Sequence, residues 1–308
     1  MSEKLRIATR KSPLALWQAE EVQRRLAAHD VPSVLVPLST RGDEIIDKPL
    51  AKIGGKGLFI KELQRAMLAG DADLAVHSMK DVPAEFPDGL HLSVILDRDN
   101  PTDALVSNHY DTLDALPPGA RVGTCSLRRQ SQLLEKYPHL QMLDLRGNVN
   151  TRLAKLDDGE FDAIILASSG LERLQLAHRI KCELPAELLL PACAQGAIGV
   201  ECPSNNDRIN HLLEPLNHRD TAIRVQCERS VNAALGGSCQ TPIGAFATLK
   251  DKQLHLRALV AKPDGSQVVR AEGSDHQDNA VALGQQVADT LRDMGASDII
   301  ASLAHEHG

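Results

Sequence analysis

The feature that most constrains this chain is the alternation of short apolar runs with amphipathic stretches over about its first 200 residues. Leu5–Ala8, Val34–Leu38, Asp73–His77, Leu92–Leu96, Arg121–Gly123, Met142–Leu145 and Asp162–Ala167 are rich in β-branched and aliphatic residues and read as strands. Helical periodicity fills the gaps. Ser12-Pro13 offers a capping hydroxyl followed by proline at the first helical position, and Leu14, Leu16, Trp17, Val22 and Leu26 recur at helical spacing. A second helix is expected from Leu58 to Ala69, ending at Gly70. Such alternation predicts doubly wound α/β packing, in which ligands bind beyond the carboxyl ends of strands. Turn-formers at Asp99-Asn-Pro-Thr-Asp103 suggest a hinge into a second α/β unit, and Pro191 to Pro203 suggests another break. After a helix over Thr221–Leu235 the style changes. Ile243–Leu249, Gln253–Lys262 and Gln267–Glu272 read as an antiparallel meander, and a helix from about Asp278 to Met294 completes an α+β module.

Against that scaffold the arginines stand out. Arg128 and Arg129 are adjacent, and Arg146-Gly-Asn-Val-Asn-Thr-Arg152 follows, both after expected strands. No carboxylate lies between Thr124 and Arg129 or between Arg146 and Arg152, so no near neighbour in sequence neutralises them. A guanidinium fork matches carboxylate or phosphate oxygens, so the set predicts an anion site, with a solvated basic face as the competing reading. The chain is net acidic at −7 and only 2% aromatic, which disfavours a nucleic-acid surface and points to a small ligand.

No stretch approaches the ~18 consecutive apolar residues of a membrane-spanning helix. The opening Met-Ser-Glu-Lys-Leu-Arg runs into a strand instead of an apolar signal, so a cytoplasmic location is expected. The six cysteines form no Cys-x-x-Cys pair and read mostly as buried thiols, with neither a zinc site nor a disulfide framework.

Ser78-Met79-Lys80-Asp81-Val82-Pro83 places a lysine and a carboxylate at a strand's carboxyl end, where Asp81 is either catalytic or a turn cap paired with Lys80. His77 reads as a packed or hydrogen-bonded histidine. Gly54-Gly55-Lys56-Gly57 precedes a helix and favours anion binding, but Gly57 after Lys56 breaks the nucleotide-loop spacing. Cys239 lies on the glycine-rich turn Leu235-Gly236-Gly237-Ser238-Cys239-Gln240-Thr241-Pro242, which can present a thiol, although no activating base stands beside it in sequence.

In order along the chain, Ile7-Ala8-Thr9-Arg10 with Ser12-Pro13-Leu14-Ala15, Lys56-Gly57-Leu58-Phe59, His77 to Pro83, Ser126-Leu127-Arg128-Arg129, Leu145-Arg146-Gly147-Asn148 and the Cys239 loop resemble the porphobilinogen deaminase (hydroxymethylbilane synthase) family. The likeness runs from Leu5 to the last helix. It implies two doubly wound domains like the lobes of a periplasmic binding protein around a cleft, residues 1–99 with 197–216 and residues 100–196. A third, α+β domain with a three-stranded antiparallel sheet, residues 217–308, would hold the cysteine. It also implies a monomeric transferase with a dipyrromethane cofactor joined to Cys239 by a thioether. Four further porphobilinogens are added head to tail with loss of ammonia, and hydrolysis releases hydroxymethylbilane.

On this resemblance Asp81 is the catalytic carboxylate, hydrogen-bonding pyrrole N–H groups and stabilising the azafulvene cation formed as ammonia leaves. Lys80, Ser126, Arg128, Arg129, Arg146 and Arg152 join Cys239 in holding the cofactor. Arg10, Ser12, Lys52, Lys56, Phe59, Arg173 and Gln195 contact substrate, Phe59 by stacking. Cations are numerous because every ring carries an acetate and a propionate. The chain departs from the family pattern at Cys125, where serine is common, and at Ala194 and Ser238, where glycine is expected. Two other readings compete: a solute-binding module without catalysis, disfavoured by the lack of an export signal, and a nucleotide-dependent transferase using Lys56, disfavoured by the loop spacing.

Overall fold

In the computed structural model, which describes residues 4–40, 60–238 and 241–306, the expected alternation takes the form of two five-stranded sheets and a separate three-stranded one. The described residues divide into two compact units, one of 4–40, 60–99 and 197–222, the other of 100–196 and 223–306.

The first unit opens with β1 (Leu5–Arg10), α1 (Pro13–Ala28), β2 (Ser33–Leu38), α2 (Lys61–Leu68), β3 (Leu74–Ser78) and β4 (Leu90–Ile95). Ser12 caps α1 as expected, its hydroxyl accepting from the Ala15 amide at 3.4 Å, with Pro13 in the first turn. The second unit contributes β5 (Asp103–Val106), β6 (Arg121–Gly123), α3 (Leu127–Lys136), β7 (Gln141–Leu143), α4 (Val149–Asp157), β8 (Ala163–Ala167), α5 (Ser168–Arg173) and β9 (Cys182–Leu184). The chain then returns to the first sheet through β10 (Ile198–Pro203), followed by α6 (Asp207–Leu213).

Strand β10 and strand β5 correct two of the sequence readings. Pro191 to Pro203 is not only a break, because its second half is a strand antiparallel to both β3 and β4 in the order β2-β1-β3-β10-β4. Ile198 to Cys202 are all buried, so no polar alternation advertises the strand. Likewise Asp103, read as the end of a hinge, is the first residue of β5, which lies antiparallel to β8 in the order β7-β6-β8-β5-β9. Both sheets are therefore mixed, each with four strands in one direction and one antiparallel strand, β10 or β5, inserted next to the edge.

The two sheets share a fastening. Asp73, just before β3, accepts from the Arg6 backbone amide at 2.7 Å and from its guanidinium at 3.1 and 2.9 Å. Asp162, just before β8, does the same to Arg121 at 2.7, 3.2 and 3.1 Å. In each case an arginine on the second strand of the sheet order, β1 or β6, fixes the register of the next parallel strand. Each unit has its own apolar core, Leu5, Ile7, Val22, Leu74 and Val200 among others in the first and Leu105, Val122, Leu133 and Ile165 among others in the second.

Helix α7 (Arg219–Ala234) leads into the meander of β11 (Ile243–Lys250), β12 (Gln253–Ala261) and β13 (Val268–His276), paired antiparallel in that order. Helix α8 (Ala280–Asp293) covers one face, its Leu283, Val287 and Leu291 packing with Leu254, Leu256 and Val260. A further helix, α9 (Ala296–Glu306), follows Gly295 and was not foreseen from the sequence. The fold class expected from the sequence, two α/β sheet domains and a three-stranded α+β module, is the one observed. Among the described residues no helix is long and apolar enough to cross a membrane.

Candidate functional site

In the first unit β3 carries the chain directly to the candidate acid. Its final Ser78 accepts a 2.7 Å hydrogen bond from Gln18 of α1, and Met79–Asp81 then form a 3-10 turn. Met79 anchors that turn. Its amide donates to the Ala197 carbonyl at 3.0 Å, and its side chain lies where a Cβ on Gly199 would stand 2.1 Å from the sulfur, so only glycine fits opposite it. With Met79 buried, Lys80 and Asp81 are left half-buried at the carboxyl end of the strand. One residue before the strand end, His77 meets the fully buried Glu201 at 2.8 Å, and Gln64 donates to the same carboxylate at 2.8 Å. His77 is thus a hydrogen-bonded core histidine, as read. Arg10 ends β1, half-buried.

The second unit holds the arginines at the carboxyl ends of β6, β7 and β8. After β6, Ser126 caps α3 by accepting from the Arg129 amide, which places Arg128 and Arg129 in the first turn. Both are buried, and the acid that partly neutralises them is one distant in sequence. Asp103, completely buried at the start of β5, receives Arg128 Nη2 at 2.7 Å and Arg129 Nε and Nη2 at 2.9 and 2.6 Å. Burial alone would raise this carboxyl. The two guanidinium groups outweigh that and hold it far below the ordinary carboxylate value. Sequence proximity could not show this acid, since 25 residues separate it from Arg128.

Two cations share one anion here, so a positive charge remains in excess. Arg129 bonds the protein through all three nitrogens, the third donating to the Ile165 carbonyl at 2.9 Å. Arg128 gives Nη1 to the Leu190 carbonyl at 2.7 Å, but its Nε is buried without an acceptor among the described residues. Burial lowers the Arg128 pKa, offset in part by Asp103.

After β7 the chain turns at Arg146-Gly147, with Gly147 at φ +110° and a Cβ there 2.8 Å from Thr151. Asn148 caps α4 through the Thr151 amide at 2.9 Å. Arg152, one turn on, returns Nε to the Gly147 carbonyl at 2.8 Å and reaches Cys125 with Nη2 at 3.9 Å, which joins the two arginine loops. Arg146 keeps Nη1 buried with no partner among the described residues. Arg173, the last residue of α5 after β8, donates to the Gly196 carbonyl at 2.7 Å. Beside it Gln195 gives its amide to Asp103 at 3.0 Å and to the Pro101 carbonyl at 2.7 Å. Ser126, Arg128, Arg129, Arg146, Arg152, Arg173 and Gln195 are therefore gathered at one end of one sheet. Asp103, which ties three of them together, is the member the sequence reading missed.

The backbone at Ala194 is left-handed at φ +61°, held by the Glu228 carboxylate accepting its amide at 2.6 Å. The departure from glycine at this position is thus a strained one. Of the five cysteines described, only Cys202 and Cys227 are buried, so the reading of mostly buried thiols fails for Cys125, Cys182 and Cys193. Lys52, Lys56, Phe59 and Cys239 lie outside the described residues.

Two family models complete the picture. One, described as the dipyromethane cofactor binding domain of porphobilinogen deaminase, matches residues 5–211, and the other, the porphobilinogen deaminase C-terminal domain, matches residues 222–293. The chain belongs to the porphobilinogen deaminase family. Porphobilinogen deaminases are transferases that polymerise porphobilinogen in tetrapyrrole biosynthesis, and this chain carries the family's dipyrromethane cofactor domain.

Among solved structures the porphobilinogen deaminase chain is similar to a nutrient binding protein from Burkholderia cenocepacia bound to methionine, with 11% identity over 68% of this chain and 90% of that one and a TM-score of 0.43. It is similar to a YaeC-family pheromone cOB1 precursor/lipoprotein from Enterococcus faecalis, with 14% identity, 71% and 94% coverage and a TM-score of 0.46. A periplasmic substrate-binding protein of an ABC transporter from Coxiella burnetii gives 14% identity, 69% and 91% coverage and a TM-score of 0.44.

The donor set of this porphobilinogen deaminase suits its cofactor. A dipyrromethane bearing acetate and propionate groups presents carboxylates, which suit the excess positive charge and the Arg128 and Arg146 N–H groups that have no partner among the described residues.

Proposed function

We propose that the chain adds four porphobilinogens in succession to a primer held on Cys239 and releases the linear tetrapyrrole by hydrolysis. One observation carries this: an arginine cluster in which Arg128 and Arg129 keep one positive charge in excess over Asp103 and two buried N–H groups lack acceptors among the described residues, at the strand ends of a family-matched cofactor domain. Such a site is incomplete until it receives carboxylates. Bound, the dipyrromethane supplies the free pyrrole position at which the chain grows.

The family resemblance gives each residue a role. Ser126 keeps α3 capped so that Arg128 and Arg129 stay at the strand end, and with Arg146, Arg152 and Lys80 they hold cofactor carboxylates. Arg10, Ser12, Arg173 and Gln195, with Lys52, Lys56 and Phe59, receive substrate. Asp81 is tied down by no hydrogen bond or ion pair among the described residues, unlike Asp103, so its charge is available to a cation formed as ammonia leaves. The protein acts as a cytoplasmic monomer with no nucleic-acid partner and is organised as three domains, 1–99 with 197–216, 100–196 and 217–308.

Intact mass tests the assignment. Protein made with porphobilinogen present should exceed its sequence mass by a two-pyrrole unit, while Cys239→Ser should weigh only its sequence and make no tetrapyrrole. A bare-chain mass for the wild type would overturn the reading, and so would an adduct that survives Cys239→Ser.

A further inference from the structure

The acid at the centre of the arginine cluster does more than neutralise it. We infer that Asp103 is the positioning residue of the anion site, aiming the Arg128 and Arg129 forks and setting the charge that a bound carboxylate meets. The inference rests on the reading that Arg128 and Arg129 hold the cofactor.

The geometry assigns the two oxygens separate tasks. Oδ1 is chelated by Nε and Nη2 of Arg129 and also receives Gln195, so that edge of the guanidinium is fixed on the acid. Among the described residues Oδ2 takes only Nη2 of Arg128. With Nη1 on the Leu190 carbonyl, Arg128 is pinned at both terminal nitrogens, and its Nε is the nitrogen with no acceptor among the described residues. Asp103 thereby makes two neighbouring arginines unlike: Arg129 is held along one whole edge, Arg128 at one nitrogen. A guanidinium held this way loses little further freedom when a carboxylate arrives.

The second task concerns charge. Without Asp103 two buried guanidinium groups on consecutive residues would face the ligand with two positive charges in place of one. Such a site attracts any anion more strongly while aiming at none. The acid thus exchanges strength of attraction for orientation, which matters where successive rings bring carboxylates of the same kind.

The two tasks separate experimentally. Unloaded protein, made without porphobilinogen, is given porphobilinogen, and covalent loading is followed by intact mass with and without inorganic phosphate. Asp103→Asn should load about ten-fold more slowly or worse, yet be inhibited by less phosphate than the wild type, because its excess charge is larger. A residue that only supports the fold would weaken both. Asp103→Glu, which keeps the charge and shifts the carboxylate by one methylene, should load slowly with wild-type phosphate sensitivity, and it decides the matter if the asparagine variant does not fold. Wild-type loading in either variant overturns the inference, as does unchanged phosphate inhibition in a slow-loading Asp103→Asn protein. Arg128→Leu is the control: if it loads normally, the cofactor-holding reading itself fails, whereas its failure to load beside normal Asp103 variants sinks only the inference.

Discussion

The tip of the β12–β13 hairpin should be a sharp point of weakness, and Gly265→Ala tests it. Gly265 has φ +72°, and a Cβ there would lie 2.5 Å from the Glu135 amide nitrogen, 2.7 Å from the Ser131 carbonyl oxygen and 2.9 Å from the Leu134 carbonyl carbon. All three are backbone atoms of α3, which cannot swing aside. The left-handed conformation costs about 1–2 kcal/mol for a residue with a Cβ, and reduced freedom in the unfolded chain returns about 0.4–1 kcal/mol. Gly119, at φ +79° with nothing within 4 Å of its Cβ position, isolates that part. Gly119→Ala should therefore cost about 1 kcal/mol or less. Gly265→Ala adds overpacking of about 1–3 kcal/mol, for a total near 2–4 kcal/mol. Urea midpoints of the two variants, measured side by side, give the comparison. Because α3 carries Arg128 and Arg129 in its first turn, Gly265→Ala should also slow cofactor loading while Gly119→Ala does not. Equal midpoints for the two variants would refute the close approach, and the inferred docking of the hairpin on α3 with it.

Asp81→Asn keeps the shape and removes the charge, so turnover should fall by about two orders of magnitude with a smaller change in KM; near-normal turnover in a folded variant removes Asp81 from the mechanism. Arg146→Leu and Arg152→Leu remove part of the grip on the cofactor carboxylates and should slow loading, seen by intact mass as unmodified protein that persists after exposure to porphobilinogen, and wild-type loading would return both to a structural part. The Arg121 hydrogen bonds hold the Asp162 carboxyl below its ordinary 3.8. The stability this contributes is full above that value and is lost as pH falls through the lower folded one. The thermal midpoint of the wild type should therefore decline below about pH 4 more steeply than that of Asp162→Asn, and parallel curves would exclude the linkage.

How much of this was legible in sequence differs by element. Strands with one recognisable neighbour and a clean boundary were readable: Arg121–Gly123 was placed at its observed bounds, and the Ser12-Pro13 start of α1 was identified from capping chemistry alone. Strands β5, β9 and β10 were not, for three separate reasons. Strand β5 hides behind turn-formers at 99–102, β9 has only three residues, and β10 is buried on both faces and so lacks alternation. The candidate site divides the same way. Residues announced by local anomaly, such as adjacent arginines or a lysine and acid at a strand end, could be named. Asp103, Gln195 as its partner and the Leu190 carbonyl act through contacts 25 to 92 residues apart, which the order of residues does not encode. The shared Arg6–Asp73 and Arg121–Asp162 fastenings also went unseen, because two residues in each unit are too few to register as a repeat.

The placing of the cations supplies the last prediction. Helices α3 and α4 carry no acidic residue in their first turns and do carry Arg128, Arg129 and Arg152 there. A helix N-terminus already has a partial positive charge, so cations in the first turn are unfavourable to it, and selection for stability alone would favour aspartate or glutamate. Asp103 relieves the pair on α3 only in part, leaving one positive charge in excess. The unloaded site is thus electrostatically frustrated, and a ligand rich in carboxylates is favoured by guanidinium groups and helix ends alike. Cofactor loading should therefore raise the thermal midpoint by more than the covalent bond at one cysteine accounts for. The unloaded protein should also gain more from added sulfate than the loaded one, because screening substitutes for the missing anion. Comparing unloaded and loaded protein at low and high sulfate checks this. Equal midpoints, or equal gains from sulfate, would mean that the arginines are neutralised within the protein and that their place at the helix starts has another cause.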